Sequence, residues 1–201
     1  MAKRLFDFLA SALALVLLSP LFALIAVWIK ADSPGPVFFR QTRIGRAGKP
    51  FRIFKFRTMY ARAPHAGPAL TIGADPRITR PGGLLRRLKL DELPQFINVV
   101  LGQMSIVGPR PEVPRYVEMY SPETRAIVLS VRPGITDPAS IEYRTESAIL
   151  GRSSDPEQRY IQEIMPAKLR LAVEYVQHAS FSRDLAIVWA TVRALWQREV
   201  P

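Results

Sequence analysis

The strongest apolar pattern lies at the N-terminus, where 22 residues from Phe8 to Ile29 carry no charge. A run of that length meets the requirement for a membrane-spanning helix. It is longer than the apolar stretch of a cleavable leader, and no small-residue cleavage site follows it. Ser19 and Pro20 interrupt it near the middle. Proline removes one helical hydrogen bond and crowds the preceding turn, so a kink is expected there, with the serine hydroxyl as substitute donor. Positive charge lies on both flanks: Lys3 and Arg4 before the run, and Lys30, Arg40, Arg43 and Arg46 after it. Such charge marks the cytoplasmic side, and a kinked helix that enters and leaves through one face satisfies both flanks. The expectation is a re-entrant membrane helix over residues 1–33, in preference to a simple span. Asp7 either pairs with Lys3 or Arg4 one turn earlier, or is solvated at the helix start.

Beyond Pro34-Gly35-Pro36, which ends the membrane element, the pattern becomes mixed. Val37–Phe39 and Phe51–Phe56 read as short strands joined by a turn over Gly45–Pro50, a hairpin pattern. Residues Ala61–Thr79 are rich in Pro, Gly and Ala and read as loop. A helix is predicted from Gly83 through Leu88, and another over Asp91–Leu101, with Pro94 in its first turn. Gly108–Pro111 and Pro133–Pro138 read as stiff loops. Helical patterns follow over Pro156–Met165, Pro166–Gln177 and Leu185–Gln197. The last carries Leu185, Val188, Trp189, Val192, Leu195 and Trp196 on one stripe with Arg183, Arg193 and Arg198 around it. That stripe suits a membrane interface or packing on the core equally well. The fold class expected is α+β: a kinked re-entrant helix, a small strand hairpin, and several amphipathic helices around one catalytic domain over residues 34–201.

Charge and composition narrow the function. The 201 residues are 48% hydrophobic, yet the formal net charge is +11. A chain both apolar and basic fits an anionic membrane surface, and the apolar residues cluster where a membrane element would place them. Nucleic acid is the competing anionic partner, and it is not expected here. Cysteine is absent, which excludes disulfides, thiolate metal sites and cysteine nucleophiles. The two histidines, His65 and His178, are far apart in sequence, a poor basis for a histidine metal site or a Ser-His-Asp triad. Any metal would be an oxygen-bound one such as Mg²⁺.

Candidate chemistry centres on the adjacent carboxylates Asp91 and Glu92, preceded by Arg86, Arg87 and Lys89. A helix start and nearby cations both favour an ionised carboxylate. A positioned aspartate is a competent nucleophile toward phosphorus, and a neighbouring glutamate could hold Mg²⁺. Asp followed by Glu at a helix start is equally ordinary capping chemistry. Lys55-Phe56-Arg57-Thr58 adds cations and a hydroxyl, and Arg110 is stiffened between Pro109 and Pro111 for a bidentate phosphate contact. Together these residues suit an anionic ligand without naming it. Glycosidase chemistry fits poorly, because adjacent acids on one helix do not face each other across a bond. A phosphatase and a basic membrane-tethered scaffold are the remaining rivals.

Longer motifs go further. Lys3-Arg4-Leu5-Phe6-Asp7, the Ser19-Pro20 break, Gly35–Gln41, Arg43-Ile44-Gly45, Lys55–Met59, Asp75–Thr79, Leu90–Gln95, Met104–Glu112 and Arg132–Thr136 follow one another in order. The chain resembles the bacterial sugar transferases, the monotopic polyprenyl-phosphate phosphoglycosyl transferases, over essentially its whole length. The resemblance implies a two-step reaction in which Asp91 attacks the sugar-proximal phosphate of a nucleoside-diphosphate sugar. The nucleoside monophosphate leaves, and polyprenyl (undecaprenyl) phosphate then takes the phospho-sugar from Asp91. It implies Glu92, with Asp91, at a Mg²⁺ site, and Arg110, flanked by Pro109 and Pro111, on phosphate, with Lys55, Arg57 and Arg86 as further donors. It also implies a bacterial inner membrane location with the catalytic domain on the cytoplasmic face, contact with anionic lipids, and a homodimer as an open option. Larger members carry an extra multi-span N-terminal domain, so the chain is expected to be the minimal catalytic unit. Where many members carry glycine after Ile135-Thr136, this chain has Asp137-Pro138-Ala139-Ser140.

Overall fold

The N-terminal run folds as two helices, α1 (Ala2–Leu17) and α2 (Ser19–Asp32), bent by 59° at the break. The computed structural model describes residues 2–61 and 75–196. Pro20 has no N–H to offer the carbonyl four residues earlier. Ser19 Oγ donates to that carbonyl, on Val16, at 2.7 Å. No single helix among the described residues is long and apolar enough to cross a membrane, but the bent pair meets that test by length and composition. At 1.5 Å per residue the arms are about 24 and about 21 Å long, each short of a hydrocarbon core of roughly 30 Å. Leu9, Leu13, Val16, Leu17, Leu24 and Val27, around the bend, are all more than half exposed.

Both arms are tied to the rest of the chain by polar groups. Arg4 donates to the carbonyls of Val99 (2.8 Å) and Val100 (3.3 Å). Lys3 donates to the Val107 carbonyl at 3.1 Å and pairs with Asp184. Asp7 follows neither expectation: it is buried and accepts from Ser105 Oγ (2.6 Å) and Ile106 N–H (3.3 Å). Burial favours hydrogen-bond donors close at hand, and Lys3 and Arg4 are engaged elsewhere. Arg57 serves the other arm. Its buried guanidinium donates to the carbonyls of Ile29 (3.2 Å), Ser33 (2.7 Å) and Pro34, satisfying the open C-terminal end of α2.

The expected hairpin forms with longer strands, β1 (Phe38–Ile44) and β2 (Pro50–Phe56), antiparallel with Phe38 opposite Phe56 and Ile44 opposite Pro50. Directly opposed residues share a face. One face carries Phe38, Phe54 and Phe56, and Phe22 of α2 meets the Phe56 ring edge-on at 5.1 Å. The other carries Gln41, Arg43, Ile53 and Lys55. Phe51 and Ile53 pack with Val99 and Met104, while Ile25, Ile29, Phe56 and Leu85 form a second cluster under α2.

Short helices make up most of the remainder: α3 (Arg80–Arg87), α4 (Gln95–Val100), α5 (Pro114–Val117), α6 (Pro122–Val128), α7 (Pro138–Glu142) and α8 (Glu146–Gly151). The last four have no counterpart in the apolar pattern, being too brief for a helical period to show. Proline in the first turn nonetheless starts three of them, α5, α6 and α7. Two three-residue strands, β3 (Ser105–Val107) and β4 (Gly134–Thr136), pair in parallel. β4 lies inside a stretch expected to be loop; a non-local partner makes it a strand. A Cβ on Gly134 would come within 2.1 Å of Gly108 N, so the close approach of the two chains requires glycine.

The predicted helices Pro156–Met165 and Pro166–Gln177 join through α9 (Pro156–Arg159), a π turn over Tyr160–Ile164 and α10 (Met165–Gln177). The wider turn lies where Pro166 removes a helical donor. α11 (Phe181–Trp196) is the last helix among the described residues. Ile187 and Val188 pack inward with Tyr175 and Val107, while Leu185, Trp189, Val192 and Trp196 are exposed. The predicted stripe therefore divides: Val188 packs on the core, and Leu185, Trp189, Val192 and Trp196 stay exposed. The side chain of Leu195, residues 197–201 and His65 lie outside the described residues. The fold is α+β, helix-rich, with two two-stranded sheets among the described residues.

Candidate active site

Asp91 and Glu92 lie in a single 3-10 turn, Leu90–Glu92, between α3 and α4. Lys89, with φ +56° in the left-handed region, reverses the chain to enter it. The predicted helix over Asp91–Leu101 therefore starts late. Pro94 precedes its first residue, Gln95, and Asp91 lies a full turn upstream of the α-helical N–H groups. A helix dipole at the pair, expected from sequence, is not what sets its charge.

Neighbouring side chains do that. Lys55 Nζ donates to Glu92 Oε1 at 2.7 Å. Arg110 grips the same carboxylate with both ends of its fork, Nη1 to Oε2 at 3.0 Å and Nη2 to Oε1. Burial alone would raise the Glu92 pKa; the charges and hydrogen bonds of Arg110 and Lys55 outweigh it and hold the carboxyl well below its usual range. Arg110 is raised in turn by Glu92. Lys55 is lowered by burial despite the Glu92 charge. Asp91 is the opposite case. Burial, then the Glu92 charge, pushes its carboxyl up, against the pull of Lys55, Arg86 and Lys89. Among the described residues nothing hydrogen-bonds to the Asp91 carboxylate, though it is only 8% exposed. Two adjacent acids thus differ in role: Glu92 is locked in an ion-pair cluster, and Asp91 is buried beside it with its oxygens uncommitted.

The Arg110 loop is held from several sides. Gly134 N–H donates to the Pro109 carbonyl at 3.0 Å. Asp137 Oδ2 accepts the Arg110 main-chain N–H at 3.2 Å. Arg43 Nη1 donates to the Pro111 carbonyl at 3.1 Å and lies 3.5 Å from Glu112. In the sequence Arg43 is a flanking charge and part of the Arg43-Ile44-Gly45 motif, with no role at the site. The overlooked signal was hairpin register, which puts Arg43 on the Lys55 face. Arg86 Nε donates to Thr58 Oγ1 at 2.8 Å; burial lowers its pKa and the Asp91 charge holds it up. Of the expected donors, Lys55, Arg86 and Arg110 gather around the carboxylate pair. Arg57, spent on the end of α2, does not.

A Mg²⁺ ion fits this donor set only in a particular way. Among the described residues no group of three acidic or histidine side chains could hold a metal by itself. A carboxylate has about four acceptor positions. Lys55 and Arg110 use three on Glu92, leaving one on Oε2, while both Asp91 oxygens are open. Mg²⁺ commonly binds one or two carboxylates and completes its shell with substrate phosphates and water. Asp91 with Glu92 Oε2 matches that habit.

A buried, uncommitted carboxylate lies beside a cation-saturated one, with guanidinium groups fixed around both, an arrangement chemically suited to an anionic ligand. The chain belongs to the bacterial sugar transferase family, whose model matches residues 1–198. It is 41% identical over 193 residues to the UDP-glucose:undecaprenyl-phosphate glucose-1-phosphate transferase of Escherichia coli K12, covering 94% of this chain and 39% of that protein. A protein of the same name from Caulobacter vibrioides is 40% identical over 196 residues, 96% of this chain and 69% of its own length. The exopolysaccharide production protein ExoY of Rhizobium meliloti is 37% identical over 210 residues, covering 97% and 85%. The chain thus spans about two fifths of the Escherichia coli relative and most of the other two.

Proposed function

We propose that the chain transfers a phospho-sugar from a uridine-diphosphate sugar to undecaprenyl phosphate at the cytoplasmic face of a bacterial inner membrane, as an early step of surface glycan synthesis. The nucleotide and acceptor follow from the relatives' names. The observation that carries the chemistry is the contrast between the two acids. Asp91 is buried and relatively basic, and among the described residues its carboxylate has no hydrogen bond, whereas Glu92 is bound to Lys55 and Arg110. An Asp91 oxygen attacks the sugar-proximal phosphorus, the bond from that phosphorus to the bridging oxygen breaks, and uridine monophosphate leaves. An oxygen of undecaprenyl phosphate then attacks the same phosphorus and the Asp91 carboxylate is released. Glu92 holds Lys55 and Arg110 in place; those two with Arg86 offset the charge of the diphosphate. Bound at Asp91 and Glu92 Oε2, Mg²⁺ would supply further neutralisation of phosphate oxygens.

The bent pair α1–α2 supports a re-entrant placement. Each arm is too short to cross, its apolar side chains at the bend are exposed, and both flanks are cationic. The exposed Trp189 and Trp196 of α11 suit the same interface. A soluble donor and a lipid-held acceptor then meet at one surface, with orientation fixed beforehand. The test is Asp91→Asn in the full chain, incubated with uridine-diphosphate sugars, Mg²⁺ and undecaprenyl phosphate. Wild type should release uridine monophosphate and carry a phospho-sugar on residue 91 by mass spectrometry, and the variant should do neither. Turnover by the variant refutes the nucleophile.

A further inference from the structure

Asp137 follows β4 just as the Arg110 loop follows β3. Parallel pairing sets the two exits side by side, with Val107 opposite Thr136 and Gly108 N–H donating to the Thr136 carbonyl at 3.1 Å. Asp137 is 2% exposed, and its two oxygens go in different directions. Oδ1 accepts the Ser140 N–H at 2.7 Å and caps α7. Oδ2 accepts the Arg110 main-chain N–H at 3.2 Å. The neighbouring carbonyls of Pro109 and Pro111 are held by Gly134 and Arg43. Three consecutive residues are therefore pinned by three different partners, and Asp137 is the one that holds the main chain of Arg110 itself. Capping alone needs a single acceptor, and serine meets that need as well as aspartate does. The second oxygen has no part in the cap.

We infer that Asp137 is a positioning residue for donor binding: it fixes the Arg110 backbone, and through it the guanidinium that meets the donor diphosphate. This rests on the reading of Arg110 as a phosphate contact given above. Asp137→Ser separates the two roles. The serine hydroxyl is one bond nearer the main chain; it keeps the Ser140 cap and leaves the Arg110 N–H without its acceptor. Asp137→Ala removes both.

The experiment uses the full chain in detergent micelles and reads unfolding temperature, amide exchange at residue 110, and donor KM and kcat from uridine monophosphate release. Asp137→Ser, which keeps the cap, should lose only a few degrees of unfolding temperature, exchange faster at residue 110, and raise donor KM about tenfold, the scale set by loss of an orienting partner. Asp137→Ala should show the same KM change with a lower unfolding temperature; if it does not fold, the serine variant decides. Wild-type KM in Asp137→Ser, or unchanged exchange at residue 110, overturns the inference and leaves a helix cap. If the wild-type protein releases no nucleotide from any donor, the transferase reading has failed. Inorganic diphosphate binding by calorimetry then replaces the KM arm: a tenfold weaker affinity in Asp137→Ser upholds the positioning role, and an unchanged one overturns it.

Discussion

Replacing Glu92 by glutamine removes one charge, almost without change of shape, from the centre of the site. Glu92 is 15% exposed, Lys55 18% and Arg110 31%, and three charge-assisted hydrogen bonds join them. Breaking a buried ion pair by deleting one partner costs roughly 3–5 kcal/mol, because the other charge remains buried. Partial exposure of Arg110 and the one oxygen that glutamine keeps argue for the lower end, about 3 kcal/mol. For a chain of this size that is a fall in Tm of about 6–12 °C. Thermal unfolding of the detergent-solubilised protein at pH 7 measures it. The pH dependence adds a sign. The Glu92 pKa is depressed in the folded state, so its contribution is present above the unfolded value of about 4.3 and is lost as pH falls through the lower folded value. The Tm gap between wild type and Glu92→Gln should stay constant from neutral pH to about 5 and close only below about 4. A gap of ~2–4 °C or less at pH 7, equivalent to about 1 kcal/mol, would match an ordinary exposed pair and refute the buried cluster.

Other consequences are separate. Asp91 is pushed up by burial and by Glu92, so the acid limb of donor kcat/KM should lie above the ordinary aspartate range and move down in Glu92→Gln; an upward move contradicts the assignment. Arg57→Gln should destabilise by about 3 kcal/mol through loss of the α2 carbonyl contacts while donor KM stays at the wild-type value. A raised KM with unchanged Tm would return Arg57 to the ligand site. Because the chain has no cysteine, single cysteines at Ala2 and Ala47, both exposed, can be labelled from one side of intact vesicles. Both should react from the same side; opposite reactivity means a spanning helix.

Local chemistry made much of this protein legible from its sequence. An uncharged run broken by Ser19-Pro20 is enough to specify two apolar helices with a bend, because a missing N–H acts on the residue four positions back whatever surrounds it. Alternation over Phe51–Phe56 and the turn residues before it likewise specify the hairpin. Adjacent acids near basic residues marked the site. What Asp91, Glu92, Asp7 and Arg57 do was decided only by tertiary structure. Burial and partner choice separate the two acids, and both depend on which side chains arrive from β2 and from the loop after β3. Asp7 meets Ser105, and Arg57 meets the end of α2, across gaps of 98 and 28 residues that no local pattern reports. Charge reads locally in a chain, but the energy of a charge depends on its surroundings, and those are assembled only when distant segments pack.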